Sequence, residues 1–350
     1  MTPLRAPTVD WPAAGRWAAA VVPAGPTPSA AEAAEVVATL RDAAERAYPV
    51  ARSASGLEAA LEAPGAVGEP ARVLVVDRAG WSRAAAASFA ALAAARRMPG
   101  TTAQAGAILA LLATRVLGQY DPYSAAAAAD ADAAADAGRP GRLLLVAPNV
   151  LASERAMGVP PADFRLWVCV HEQTHALQFA AAPWLAGFVR AELAALLDEV
   201  EHTPPAQEVG QVLLGLLRAL RGEAGRDWSL LDALPAGQRE RVERMTAAMS
   251  LLEGHADVTM DAASRAIPQV DTLRRRMEAR RSSTAVGDRL LRRLLGLDAK
   301  LAQYRNGAAF VREVRRLGGP DALDAAWTGP EHLPRPGEIA DARAWLRRVA

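Results

Sequence analysis

The 350-residue sequence predicts a mainly α protein with a small sheet, an α+β fold, and three observations lead there. Apolar residues recur at helical spacing through most of the chain. Only two short runs, 72–77 and 142–147, have the length and apolar character of buried strands. From Ala162 to Ala182 no Gly or Pro interrupts a mostly apolar stretch, which reads as one long buried helix.

Taken in order, Pro28-Ser29 starts a helix that runs to about Tyr48, with Ser29 as the cap. Arg72 to Asp77 is a short strand, Trp81 to Arg97 is helical, and Thr101 to Leu117 is another helix. Residues 124–138, between Pro122 and Pro140, form an Ala/Asp-rich surface insertion of low complexity. Arg142 to Ala147 is the second strand and stops at Pro148-Asn149. After the long apolar helix, Pro183-Trp184 begins a further one. Helical periodicity continues over 207–221, 237–264, 267–281, 286–295 and 297–317, broken at Pro204-Pro205, Gly222 to Gly225, Pro235 and Pro268.

The long helix carries His171-Glu172-Gln173-Thr174-His175, an H-E-x-x-H motif in a chain with only five histidines. Imidazoles four residues apart share a helix face and can reach one metal ion. Glu172 sits at the rim of that face, where a carboxylate can take a proton from metal-bound water without ligating the metal. Histidines and a glutamate buried in an apolar helix need partners, and a metal supplies them.

A third ligand must come from elsewhere. Phe179-Ala180-Ala181 stands where the H-x-x-G-x-x-H extension of a metzincin would run, which excludes that class. The segment Met249 to Met260 concentrates the remaining candidates. Glu253 and Asp257 share a helix face, so Glu253 can bind the metal while Asp257 accepts the outer N–H of a ligating histidine. His255 lies about 200° around the helix from Glu253 and is its rival as ligand.

Several runs resemble a known family. They are Arg115 to Asp121, Leu143 to Asn149, Phe164 to Trp184, Met249 to Asp261 and Leu297 to Gly307, and together they look like the type 2 zincin-like metallopeptidases. One branch of that family is labelled as associated with biosynthesis of a deazaflavin coenzyme. The resemblance spans Trp11 to Trp345 and implies a zincin-like metallopeptidase fold. Glu253-Gly254-His255-Ala256-Asp257 is also similar to the third-ligand segment of gluzincins, in which a Glu completes the site and an Asp follows four residues on. The spacing departs from theirs, because 77 residues (176 to 252) separate His175 from Glu253. The resemblance also suggests that the 142–147 strand is an edge to which an extended substrate could add, beside the alternative of an ordinary buried strand.

Composition limits the other readings. With 40 basic and 39 acidic residues, the chain has no general field for nucleic acid or an anionic membrane. The arginines from Arg274 to Arg293 are interleaved with Asp271, Glu278 and Asp288, so they read as solvated faces and internal pairs. Cys169 is the single cysteine; it excludes an internal disulfide and reads as a buried thiol. No membrane span and no secretory leader are expected, which points to the cytoplasm. The division expected is an N-terminal helical lobe over 1–150 and a zinc-binding helical lobe over 151–350, packed as one unit.

The expected chemistry is hydrolysis of a peptide or amide. Zn²⁺ on His171, His175 and Glu253 keeps one position for water, and Glu172 acts as general base. A second electrophile is needed for the oxyanion, with Tyr304 the candidate and His255 next. The competing class is a non-catalytic one, in which the same ligands form a structural zinc clamp in a regulatory protein. An intact Glu172 favours the enzyme, because a clamp has no use for a carboxylate aimed at an open position.

Overall fold

The computed structural model describes residues 8–63, 71–93, 101–124, 141–202, 235–282 and 297–350, with only the backbone at 200–202, 280–282 and 297–306. The expected insertion at 124–138 and the helices at 207–221 and 286–295 fall outside the described residues, apart from Ser124. The described chain is mostly helical with a small sheet. Contacts divide it into two units, Met1–Arg190 with Thr259–Met277, and Ala191–Val258 with Glu278–Ala350.

The first unit is built on a three-stranded sheet. Strands β1 (Arg72–Val76) and β3 (Arg142–Val146) pair in parallel, and β2 (Gly118–Asp121) pairs antiparallel to β3, giving the order β1-β3-β2. β3 is therefore the centre of the sheet. Of the two readings of this strand, edge or ordinary buried strand, the structure has the buried one: Leu143 to Val146 are fully buried, and the edge beside β3 is the unpredicted β2. Gly118-Gln119-Tyr120-Asp121 has no β-branched residue, so propensity did not mark it. The helix expected over Thr101–Leu117 stops at Ala113, where the chain turns into this strand.

Period-2 alternation sends the two faces of the sheet to different helices. Leu144 and Val146 join a core with Ala14 and Ala18 of α1 (Trp11–Val21), Trp81, Ala85 and Ala86 of α4 (Arg78–Ala93), and Leu109 and Ala113 of α5 (Thr102–Ala113). Gln119, opposite Leu144, faces the same way and accepts a 2.9 Å hydrogen bond from Trp81 Nε1. The opposite face holds Gly118 and Tyr120, and Tyr120 meets Phe179 of the motif helix at 5.3 Å between ring centroids. Buried Asp121 accepts from Ser88 Oγ, Arg142 Nε and the Tyr123 N–H, which ties β2 to α4 and β3.

The remaining helices of this unit cover the sheet. Helix α1 is an addition to the sequence reading and is capped by Asp10, whose carboxylate accepts from the Ala13 N–H. α2 (Ala30–Ser55) begins at Ser29 as expected but continues past Tyr48 and through Pro49, ending at left-handed Gly56. Pro49 removes one backbone bond. Burial of Ala47, Ala51 and Ser55 outweighs that loss. A short helix, α3 (Glu58–Glu62), leads toward β1. After β3 come α6 (Ala147–Met157), with Pro148 in its first turn, and the motif helix α7 (Pro161–Ala181), which packs along α2. α8 (Trp184–His202) follows a break and belongs to this unit up to Arg190. Buried Arg165 of α7 makes a bidentate pair with buried Glu154 of α6, at 3.0 and 2.6 Å, and also donates to Thr39.

In the second unit, α9 (Ala236–Ala262) carries the Glu253 segment up to Val258, and α11 (Leu297–Gly318) crosses it. The crossing is glycine on glycine: a Cβ on Gly254 would stand 2.1 Å from the Gly307 carbonyl carbon, and one on Gly307 2.0 Å from Ser250 O. Between them α10 (Val270–Ser282) belongs mainly to the first unit. There Arg274 pairs with Asp261 and Arg276 donates to the Met157 carbonyl. Two short helices close the chain, α12 (Ala325–Thr328) and α13 (Ala342–Val349). Trp345 is fully buried against Phe310 and donates to the His332 carbonyl. Among the described residues no single helix is long and apolar enough to cross a membrane.

Arg348 fastens this end. It makes two hydrogen bonds of 2.7 Å to Glu338 and donates to the carbonyls of Glu331 and Leu333. Burial by itself would raise the Glu338 carboxyl pKa, but the Arg348 and Arg335 hydrogen bonds outweigh it and hold the group below its ordinary 4.5. A depressed carboxyl stabilises fully above the unfolded pKa and less as pH falls through the folded one. Arg348→Met should therefore cost about 1.5–3 kcal/mol at pH 6. Urea denaturation at pH 6 and pH 3 checks this, and the difference from wild type should shrink at the lower pH.

Candidate metal centre

Helix α7 positions three motif residues. His171 and His175 stand one turn apart, with ring centroids 4.6 Å apart and planes at 85°. Their Nε2 atoms are 3.2 Å from one another. Two nitrogens on one tetrahedral zinc, each at about 2.0–2.1 Å, stand about 3.3–3.4 Å apart, so this spacing is that of two ligands of one ion. Glu253 of α9 completes the group: one ligand atom from each of the three lies within 4.8 Å of the others. Two imidazoles and a carboxylate are a donor set of zinc hardness. The residues present fit the ion.

Sequence reading missed the residue that orients His175. Gln178, three positions on and fully buried, has its Oε1 2.9 Å from His175 Nδ1. When Nδ1 carries the proton, the ring donates to this oxygen and its Nε2 lone pair is left for a metal. The i, i+3 spacing in the motif was the available signal.

Glu172 is buried and points to the sheet. A Cβ placed on Gly118 of β2 would lie 2.6–2.8 Å from the Glu172 Cγ, Cδ and Oε1, so only glycine admits the carboxylate at this point. Gly118 was not identified from sequence, because its role depends on a strand that propensity does not mark. Cys169, one turn before Gln173, is buried with its thiol toward the Leu40 carbonyl, and burial together with the Glu172 charge pushes its pKa up.

The other candidates from the sequence are placed as follows. His255 is fully buried on α9, with its ring 5.1 Å from the Trp327 ring, and is not in the three-residue group. Asp257 is half-buried one turn beyond Glu253. Tyr304 lies on α11, three residues before the Gly307 crossing, and its side chain is outside the described residues.

A small mixed sheet backing a helix with H-E-x-x-H, and a distant glutamate brought to the two histidines, define a zincin-type protein. The chain matches the profile of the zincin-like metallopeptidases over residues 9–101 and 95–346, and it belongs to that family. Among solved structures it is similar to a candidate hydrolase with a novel fold from Chloroflexus aurantiacus. The two share 28% identity over 97% of this chain and 98% of that one, with a TM-score of 0.62. No curated protein matches. Membership of this family and the likeness to that structure support a hydrolase.

Two substitutions test the supporting residues. Gln178→Leu should keep the fold and weaken zinc binding by about 10–100-fold, read by competition with a chromophoric chelator. Gly118→Ala should keep zinc but displace the Glu172 carboxylate and lower stability by about 1–3 kcal/mol, read by thermal denaturation.

Proposed function

We propose that the protein is a zinc-dependent hydrolase acting on peptide or amide bonds. The observation that carries this reading is the convergence of His171 Nε2, His175 Nε2 and a Glu253 carboxylate oxygen, with Glu172 next in sequence to one ligand and lodged against β2. His171, His175 and Glu253 would hold the zinc. When bound, the ion acts as a Lewis acid and lowers the pKa of a water in its open position toward about 7.

The protein's own groups do the rest. Glu172 takes the proton of the attacking water and returns it to the leaving nitrogen. Gln178 holds the His175 ring, and Asp257 remains the candidate for supporting a ligating imidazole. Tyr304 is the candidate donor to the developing oxyanion, with His255 next. An extended substrate would add to β2, which among the described residues has β3 on one side only and lies beside Glu172.

The purified protein should carry about one zinc per chain. Elemental analysis after dialysis checks this, and Glu253→Ala should lose the metal. Full zinc retention in Glu253→Ala, with loss in His255→Ala, would move the ligand role to His255. Glu172→Gln should retain zinc and melting temperature while turnover on a peptide or amide library falls by about 10²–10⁴-fold. Undiminished turnover in that variant would remove Glu172 as the base.

A further inference from the structure

Arg190 of α8 is half-buried, and its guanidinium carbon lies 5.4 Å from the centroid of the Tyr123 ring. Among the described residues no carboxylate pairs with it, and its Nε is shielded from solvent without a hydrogen-bond partner. A partly desolvated cation without a counter-ion is unfavourable. The ring contact engages the flat of the guanidinium and leaves its N–H fork unused.

The surroundings are fixed. Tyr123 donates its hydroxyl to the Ala186 carbonyl at 3.3 Å, and its N–H is held by Asp121. Burial raises the Tyr123 pKa, the Arg190 charge opposes this and Asp121 adds to it, leaving the group at about 12 and neutral. Asp121, the nearby acid, is already engaged by Ser88 and Arg142. Ser124, next along the chain, is 2% exposed and its Oγ has no partner either. Among the described residues, a guanidinium without a carboxylate partner thus lies over one rigid aromatic ring, and a hydroxyl without a hydrogen-bond partner is next along the chain.

We propose that Arg190, with Tyr123 and Ser124, is an anionic subsite that takes a carboxylate of an extended peptide substrate lying along β2. The inference rests on the hydrolase reading given above. An arginine fork matches a carboxylate with two parallel hydrogen bonds. Gly118, beside Glu172, starts β2, and Tyr123 is five residues further on, a reach of at most about 17 Å at strand rise. The carboxylate therefore belongs to a residue within about five positions of the bond cleaved. It is either the chain terminus or an acidic side chain.

The test is calorimetric titration of the full-length, zinc-loaded Glu172→Gln protein, which binds without turnover. The probes are alanine-based hexapeptides of three kinds: C-terminal acid, C-terminal amide, and amide with one internal glutamate or glutamine. One carboxylate source should bind about tenfold or more tighter than its neutral counterpart. Adding Arg190→Gln should erase that difference, and Arg190→Lys should keep part of it, with zinc content unchanged throughout. The Arg190 Nε resonance should shift with the acidic peptide only. Equal affinity for acidic and neutral peptides, a preference that survives Arg190→Gln, or no peptide binding at all would each overturn the subsite. The two readings fail separately. Wild-type cleavage without carboxylate preference overturns the subsite and keeps the hydrolase. Arg190-dependent carboxylate binding without cleavage keeps the subsite and overturns the hydrolase.

Discussion

Burial of helix α7 is the constraint on which the rest of the structure depends. Its residues from Phe164 to Val170 are all buried, and Glu172, Gln173, Thr174 and Gln178 are buried with them. Most polar groups in that setting are matched one by one, although Trp167 Nε1 and Gln173 Oε1 have no hydrogen-bond partner among the described residues. Gln173 Nε2 donates to the Ala44 carbonyl of α2, Thr174 Oγ1 donates back to Val170, and Gln178 takes His175. The neighbours of α7 are shaped by this demand. α2 lies along the helix despite Pro49, and the sheet offers it a glycine at position 118.

The histidines lie on the less enclosed side of the helix. His171 and His175 are half-buried, and their Nε2 atoms are directed to one point. An apolar pair of side chains there would bury more area at less cost. Two imidazoles and a carboxylate in that position make sense as a binding set for a cation, and membership of the zincin-like metallopeptidases agrees with it.

How legible the site was depended on how local its logic is. His171, Glu172 and His175 follow from spacing on one helix, and Glu253 stood out because Asp257 shares its face in an apolar segment. Gln178 obeys the same one-turn rule, but an uncharged amide in an apolar helix carries no mark of a partner role until its contact is known. Gly118 and β2 were not legible, since a four-residue strand without branched side chains is specified by its pairing with Leu143 and Leu145 and not by propensity. The place of β3 was left open between edge and buried strand, and its continuous apolar run is the mark of the buried one, a strand covered on both faces. Arg190 gave no signal in sequence, because an arginine without a counter-ion is recognised only when its surroundings are known.

The crossing of Gly254 and Gly307 has a consequence for how the metal site can vary. The two helices touch through backbone atoms, with no side chain between them to compress or swing aside. Such a joint has one axial setting: sliding α11 by a single residue brings a Cβ into space that main chain already fills. The carboxylate next to Gly254 thus inherits its location from a keyed contact of main chains. Divergence within the family can then retune the opposing imidazoles and the strand beside Glu172 by ordinary side-chain exchange, whereas the glutamate arm can move only if the whole helix pair is recast.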